Sequence, residues 1–199
     1  MRSNQIKRLI IEKTKELLKK NKNVTIKEIA DACYVNIASV NYYFGSKDAL
    51  LKIVTEEFIE NLKVSLMEII TEQNGPNYIE NTLRKTIQLL FERFLENAGI
   101  MSYLLENIGN EQGNILKDLF FTKNEFTEQI FTVFKQTTEE QNQMRLEARY
   151  IILFASFILP LVLSLSLEDE TLDYYVRQNF TDLYLEELVH VIKYKHGEK

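Results

Sequence analysis

At 199 residues, 45 % hydrophobic and 27 % charged, the chain is long enough for a buried core and has the charge content of an ordinary soluble protein. Six glycines and two prolines argue against an all-β fold, which needs many tight turns, and long stretches rich in Leu, Ile, Glu, Lys and Phe predict an all-α fold. The net charge of −5 combines +6 in residues 1–52 with −11 in residues 53–199, a distribution that indicates a polyanion-binding head on an acidic body.

Three helices are predicted in the first quarter of the chain. The first covers about residues 4–20. The second begins at a capping box, in which Thr25 and Glu28 each satisfy a backbone N–H of the other. The third begins with Asn36 as its N-cap and ends before Gly45. Two short helices joined by a tight turn, after a longer first helix, are the plan of a helix-turn-helix DNA-binding domain.

The rest of the chain is predicted to be helical as well. Ser46 caps a long fourth helix that reaches about Glu72, and Gly75-Pro76 separates it from the next helix. Further helices are expected at about 78–97, 99–107, 115–138, 143–166 and 172–194. We therefore predict two domains, a helix-turn-helix domain at 1–47 and a larger helical domain for effector binding and dimerisation at 48–199.

One segment, residues 150–167, contains 18 residues without a charge, which is the lower limit for crossing a bilayer. Three serines and Pro160 weaken its apolar pattern, so we favour a helix buried inside a bundle or across a subunit interface. The alternative is a membrane-anchored helical protein, which cell fractionation would separate from a soluble dimer.

The helix pair divides its residues into a packed set and an outward set. The set expected to form a small core comprises Ile29, Ala30, Val35, Val40 and Phe44. The set left facing outward comprises Ile37, Ala38, Ser39, Asn41 and Tyr42. An outward face with an amide, a hydroxyl and small apolar groups is typical of a helix that enters the DNA major groove.

These residues also carry a resemblance to a known family. The pattern T-x-x-x-I-A-x-x-x-x-V from Thr25, followed by N-I-A-S-V-N-Y-Y-F-G-S-K-D-A-L-L at 36–51, resembles the N-terminal domain of the tetracycline-repressor (TetR) family. The match covers about residues 5–52, and the remainder is similar to the family in length and all-helical layout. Tyr34 departs from the pattern, because the family usually has glycine in this turn and a positive φ disfavours a bulky side chain.

The resemblance implies roles at a DNA duplex for residues of this domain. Those expected to contact phosphates are Thr25, Lys27, Tyr42, Tyr43 and Lys47. Those expected to approach base edges are Ile37, Ala38, Ser39 and Asn41. Arg2 is expected on an N-terminal arm that enters the adjacent minor groove.

For the acidic body, the resemblance implies dimerisation and ligand sensing. A homodimer is expected through the last two helices, at about 143–166 and 172–194, where a four-helix interface would cover the uncharged segment. Two copies would read a palindromic operator, because paired recognition helices contact half-sites one helical turn apart. A pocket for a small hydrophobic ligand is predicted among aromatic residues that could equally be core, namely Phe91, Phe94, Tyr103, Phe120, Phe121 and Phe154.

Enzyme chemistry is not expected. His190 and His196 have a poor spacing for joint metal ligation on one helix face, and no glycine-rich phosphate loop or nucleophile elbow is present, so no catalytic residue, metal or cofactor is predicted. The single cysteine, Cys33, excludes an intramolecular disulfide framework and fits a reducing cytoplasm, where we expect the protein.

We therefore predict a DNA-binding transcriptional regulator that acts as a homodimeric repressor and is released from its operator by a small molecule. An effector-independent DNA-binding adaptor of the same fold is the alternative that the sequence leaves open.

Overall fold

The computed structural model describes residues 2–21, 23–72, 78–107, 109–110, 114–138, 140–166 and 178–193. Within these ranges all regular secondary structure is helical, which confirms the predicted all-α class. The helices are α1 (Arg2–Lys20), α2 (Ile26–Ala32), α3 (Ile37–Phe44), α4 (Lys47–Thr71), α5 (Tyr78–Glu96), α6 (Ala98–Glu106), α7 (Asn114–Phe120), α8 (Glu125–Thr138), α9 (Gln143–Ser166) and α10 (Gln178–Lys193).

The helix bounds correct the prediction in the middle of the chain. The single helix predicted at 115–138 is two helices, α7 and α8, separated by a turn. Asn124 begins α8 by a reciprocal cap: Thr127 N donates to Asn124 Oδ1 and Asn124 N donates to Thr127 Oγ1, both at 3.0 Å. Such caps satisfy backbone groups that a continuous helix would pair internally. The start of the last helix, predicted at about residue 172, lies outside the described residues.

The chain divides into two compact units. Unit one consists of Met1–Leu62 and Glu96–Phe120, and unit two consists of Lys63–Leu95 and Phe121–Lys199. This division is based on which residues pack together. The boundary predicted at residue 47 separates DNA binding from effector binding and dimerisation, and it stays a prediction.

Unit one packs around α1, which contacts α2 and α6, while α2 contacts α3. Ile10 and Leu18 provide the buried face of α1. The members of the predicted helix-pair core that are buried are Ile29, Ala30, Val40 and Phe44. Val35, in the turn, is half-buried. The core of the helix pair is therefore confirmed except at the edge of the turn.

Helix α6 approaches the end of α1 very closely. A Cβ atom added to Gly99 would lie 2.5 Å from the carbonyl oxygens of both Leu18 and Asn21. Only glycine permits this approach, because both neighbours are backbone atoms. The first turn of α6 thus meets the last carbonyls of α1, an arrangement in which the two helix dipoles attract each other.

Unit two packs around α9, which contacts α8 and α10, while α10 also contacts α8. Tyr150 lies at the centre of an aromatic cluster, with its ring centroid 4.8–6.1 Å from those of Phe121, Phe131, Phe134 and Phe154. Burial raises the pKa of the Tyr150 hydroxyl far above its ordinary value. Tyr150 is therefore a core residue of this unit.

Polar contacts hold α10 against α9. The hydroxyl of Tyr184 donates to the carbonyl oxygen of Ser156 at 2.5 Å, and Arg149 Nη1 donates to the carbonyl oxygen of Ile192 at 3.3 Å. Both bonds join a side chain to a backbone oxygen, so they fix the two helices in one register.

The uncharged segment predicted at 150–167 lies on α9, apart from its last residue, which is outside the described part. Leu146 and Leu153 are buried, whereas Ile151 and Leu159 are exposed, so the described side chains of this helix have a buried and an exposed side. Among the helices that the structure describes, none combines the length and the hydropathy needed to cross a membrane.

Candidate nucleic-acid interface and ligand pocket

The predicted capping box at the start of α2 is confirmed. Glu28 N donates to Thr25 Oγ1 at 3.2 Å, and Thr25 N donates to Glu28 Oε2 at 2.7 Å. The hydrogen bond from the backbone of Thr25 holds the pKa of Glu28 below its ordinary value. Thr25 Oγ1 also donates to Glu28 Oε2 at 2.7 Å, so the predicted phosphate contact of this hydroxyl requires that bond to be exchanged.

The turn between α2 and α3 has the geometry that glycine would favour, although it contains Tyr34. Tyr34 has a φ of +55° and is, among the described residues, the non-glycine position with positive φ. Val35 N donates to Ala30 O at 3.0 Å and Tyr34 N donates to Asp31 O at 3.1 Å, the two bonds of a Schellman motif. The turn has therefore kept its shape, and Tyr34 adopts a strained left-handed conformation within it.

Cys33, the C-cap of α2, is buried. Burial raises the pKa of its thiol, which favours the uncharged form. This cysteine therefore acts as a small core residue of the helix pair.

Helix α3 is fixed at its start by Asn36, which accepts hydrogen bonds at Oδ1 from Ser39 N at 2.7 Å and from Ser39 Oγ at 2.8 Å. Val40 and Phe44 anchor the helix from below. The side chains of α3 that are exposed are those of Ile37, Ala38, Asn41 and Tyr42. Ser39 is half-buried and its hydroxyl hydrogen is used by the cap, so it is the least available of the four predicted base-contacting residues.

The predicted phosphate-contacting tyrosines lie side by side near the end of α3. The rings of Tyr42 and Tyr43 meet edge to face at a centroid distance of 5.2 Å, and Tyr42 is 82 % exposed while Tyr43 is half-buried. Gly45, with a φ of +77°, then reverses the chain, and Ser46 Oγ accepts from Ala49 N at 3.1 Å at the start of α4. The chain therefore changes direction directly after the two tyrosines.

Part of the positive charge of unit one is neutralised within the unit. Arg8 and Lys15 bind Glu57 at 3.4 and 2.6 Å, and they bind Glu12 on their own helix at 2.8 and 3.2 Å. The charge asymmetry of the sequence therefore overstates how many cations α1 offers to a polyanion.

Two lysines near α3 differ from Lys13 and Lys15 of α1, which bind glutamates. Lys27 is exposed on α2 and Lys47 is half-buried at the first residue of α4. Among the side chains that the structure describes, neither forms an ion pair. They flank α3 in sequence, and an ammonium group without a carboxylate partner is the group that a phosphate oxygen attracts.

Arg2 is the first residue of α1, so it belongs to the helix rather than to an arm that precedes it. The residues before Ile6 include no helix breaker, which explains why the helix extends two residues beyond the predicted start. The side chain of Arg2 lies outside the described part of the structure, and its role in a minor groove stays a prediction.

The aromatic residues predicted to line a ligand pocket are distributed over both units. Tyr103 and Phe120 are buried in unit one, and Phe91 and Phe94 are buried in unit two. Phe121 and Phe154, also in unit two, are in contact at a centroid distance of 5.5 Å. A ligand site shared by these six residues therefore stays a prediction.

A pocket is present inside unit two, and one of the predicted residues, Phe154, lines it. The other lining residues are aliphatic or aromatic, with the exception of Thr86 on α5. Sequence reasoning missed this threonine. The sequence does show a hydroxyl on the apolar face of a helix, one turn from Leu83 and Leu90. It does not show the pocket, because the other lining residues come from other helices.

The helix pair, its exposed α3 face and the two flanking lysines define a helix-turn-helix DNA-binding domain. The family model of bacterial regulatory proteins of the tetR family matches residues 10–54, which confirms the predicted resemblance. The chain is accordingly a DNA-binding transcriptional regulator with a TetR-family N-terminal domain.

Among solved structures, the chain is similar to the TetR-like transcriptional regulator LfrR from Mycobacterium smegmatis. The sequences are 14 % identical over 93 % of this chain and 94 % of that chain, with a TM-score of 0.45. No curated protein matches this chain in sequence.

Proposed function

We propose that the protein is a homodimeric repressor that binds a palindromic operator through α3 and leaves it when a small molecule binds in unit two. In this proposal residues 1–47 read the DNA, and residues 48–199 dimerise and bind the effector. The observation that carries it is the exposed face of α3, which is flanked in sequence by two lysines that form no ion pair with the side chains that the structure describes. The proposal implies a cytoplasmic protein, because its DNA target is reached there.

The exposed α3 side chains support contact with base edges. Asn41 can donate to and accept from adenine with its amide, and Ile37 and Ala38 can contact thymine methyl groups. Lys27, Lys47 and the hydroxyl of Tyr42 would bind phosphates on either side, which fixes the register of the helix in the groove. Each of these groups is exposed or half-buried in the free protein.

Dimerisation is supported by an apolar surface on α9 and α10. On α9, Ile151, Ala155 and Leu159 are exposed at four-residue spacing, so they form one stripe along the helix. On α10, Leu183 and Val191 are exposed two turns apart, hence on the same face. A second copy that packs the same two helices against these stripes would remove both from water.

The proposal is tested by selecting bound sites from a random-sequence duplex library with the purified protein. We expect enrichment of a palindrome whose half-sites are separated by about one helical turn, roughly 10 base pairs. Enrichment of a single, non-repeated half-site would contradict the dimeric part of the proposal, and enrichment of no sequence would contradict specific DNA binding.

A further inference from the structure

The pocket in unit two is apolar around a single polar atom. Its walls include Leu83 and Leu90 of α5, Ile130 and Phe134 of α8, and Leu153 of α9, and its one polar side chain is Thr86. No charged side chain lines it. In the present arrangement of side chains the enclosed space has room for about one water molecule. A larger ligand therefore enters only when the side chains around Thr86 move apart.

Thr86 is unusual in its hydrogen bonding. It is 6 % exposed, and its Oγ1 is, within the described residues, the buried side-chain polar atom that has no hydrogen-bond partner. One turn earlier on the same helix, the hydroxyl of Thr82 donates to the carbonyl oxygen of Tyr78 at 2.7 Å. Thr137 and Thr138 of α8 donate to the carbonyl oxygens four residues before them in the same way. Thr86 is not bonded to the preceding turn, although its neighbour shows that α5 permits such a bond.

A buried hydroxyl without a partner destabilises the fold, so a group that binds it gains free energy. A water molecule would fit the space by size, but a buried water needs two to four polar partners and this pocket offers one. An apolar molecule with one polar group matches the lining better, because its body contacts the hydrocarbon walls while its polar group bonds the hydroxyl.

We propose that Thr86 Oγ1 is the polar anchor of a binding site for a small, uncharged, mostly apolar molecule that carries one hydroxyl or carbonyl group. A charged ligand is excluded, since the walls supply no opposite charge to offset its desolvation. The inference rests on the proposed release by a small molecule and names the chemistry of that molecule.

Phenol and toluene are the matched probes for this site, since they have nearly the same shape and differ by a hydroxyl in place of a methyl group. The same exchange on the protein is Thr86→Val. Binding is measured without DNA, by titrating each probe while following the methyl resonances of Leu83, Leu90 and Leu153. The matched control is Thr82→Val, which removes a buried hydroxyl from the same helix outside the pocket.

In the natural protein both probes should shift these resonances. Thr86→Val should lower the ratio of phenol affinity to toluene affinity by about tenfold, the size of a lost hydrogen bond between hydroxyls. Because the ratio is compared between variants, differences in the hydration of the two probes cancel. Thr82→Val should leave the ratio unchanged, and Thr86→Val should raise the denaturation midpoint of the protein without ligand.

An unchanged ratio in Thr86→Val would overturn the proposal, because it would show that the hydroxyl contributes nothing to phenol binding. Failure of either probe to shift the three leucines would overturn it as well. Neither result would change the expected operator binding by the protein without ligand. If site selection on DNA failed, the expected result of the probe titration would be unchanged, so the two proposals can be contradicted independently.

Discussion

At the scale of single residues, the turn of the helix pair contains the clearest conflict between a side chain and its backbone. Tyr34 holds a φ of +55° and is 97 % exposed, so little packing offsets its strain. The Schellman bonds on either side hold the residue in the left-handed region. The presence of a bulky residue in this turn was visible in the sequence. The sequence did not show whether the turn would change its shape or Tyr34 would adopt a positive φ, because that depends on the hydrogen bonds around the turn.

We predict that Tyr34→Gly stabilises the protein. Glycine adopts a left-handed φ without a steric penalty, which should exceed its larger entropy in the unfolded chain and leave a gain of about 0.5–1 kcal/mol. The measurement is the free energy of unfolding from denaturant titration. Gly45→Ala is the matched control, because its φ is +77° and an added Cβ would contact nothing within 4 Å, so it should lose stability through conformation alone. A lower stability of Tyr34→Gly would contradict this account of the turn.

The capping box predicts a pH dependence. The backbone bond from Thr25 lowers the pKa of Glu28 in the folded state below its ordinary value of 4.5. A group with a depressed folded pKa stabilises the fold above its unfolded pKa, and this contribution is lost as the pH falls through the folded pKa. Glu28→Gln keeps a capping side chain but does not titrate, so its unfolding midpoint should fall less steeply between neutral pH and acid. Parallel curves for the two proteins would show that the cap does not depend on the charge.

At the scale of helices, features that depend on neighbouring residues could be predicted from the sequence. Contacts between distant segments could not. The capping box at Thr25 and the N-cap at Asn36 were predictable, because each depends on residues three positions apart. Gly99 was recognisable as the start of a short helix, but its contact with Leu18 and Asn21 joins segments about 80 residues apart and has no local signature. The division of α7 from α8 was missed because the cap at Asn124 lies within a continuous helical pattern.

We predict that Gly99→Ala destabilises unit one by about 1–3 kcal/mol, because its Cβ would meet two backbone oxygens that cannot rotate away. Denaturant titration measures the loss. Ser102→Ala, a half-buried position on the same helix, should change stability by less than about 0.5 kcal/mol. If Gly99→Ala were as stable as the natural protein, the close contact between α1 and α6 would not exist in solution.

At the scale of the whole molecule, the sequence predicted that the uncharged helix is buried in a bundle or a subunit interface. The structure shows which of its described side chains are exposed in the single chain. The bonds of Tyr184 and Arg149 to backbone oxygens fix α10 against α9, and each of these helices has an exposed apolar stripe. The pocket around Thr86 was not predictable, since residues from α4, α5, α8 and α9 meet there.

We predict that Leu159→Glu weakens the proposed dimer. Leu159 is 63 % exposed in the single chain, and a carboxylate buried at that position without a partner would cost about 2 kcal/mol or more, which raises the dissociation constant of the dimer about 30-fold. Sedimentation equilibrium measures the constant. Val64→Glu, an exposed apolar residue of α4 outside the proposed interface, is the control that should remain dimeric. Equal dissociation constants for the two variants would exclude α9 from the interface.

The central claim is that α3 reads DNA bases while lysines beside it bind phosphates, and the salt dependence of operator binding by two variants tests it most directly. On the selected operator, Asn41→Ala should weaken binding by about 1–3 kcal/mol and relax specificity at one position of each half-site, with an unchanged salt slope. Lys27→Ala should weaken binding to all sequences alike and reduce the slope of log K against log salt by about 1 for each phosphate that is no longer bound. If Asn41→Ala bound the operator and unrelated DNA with the same affinities as the natural protein, α3 would not be the reading helix.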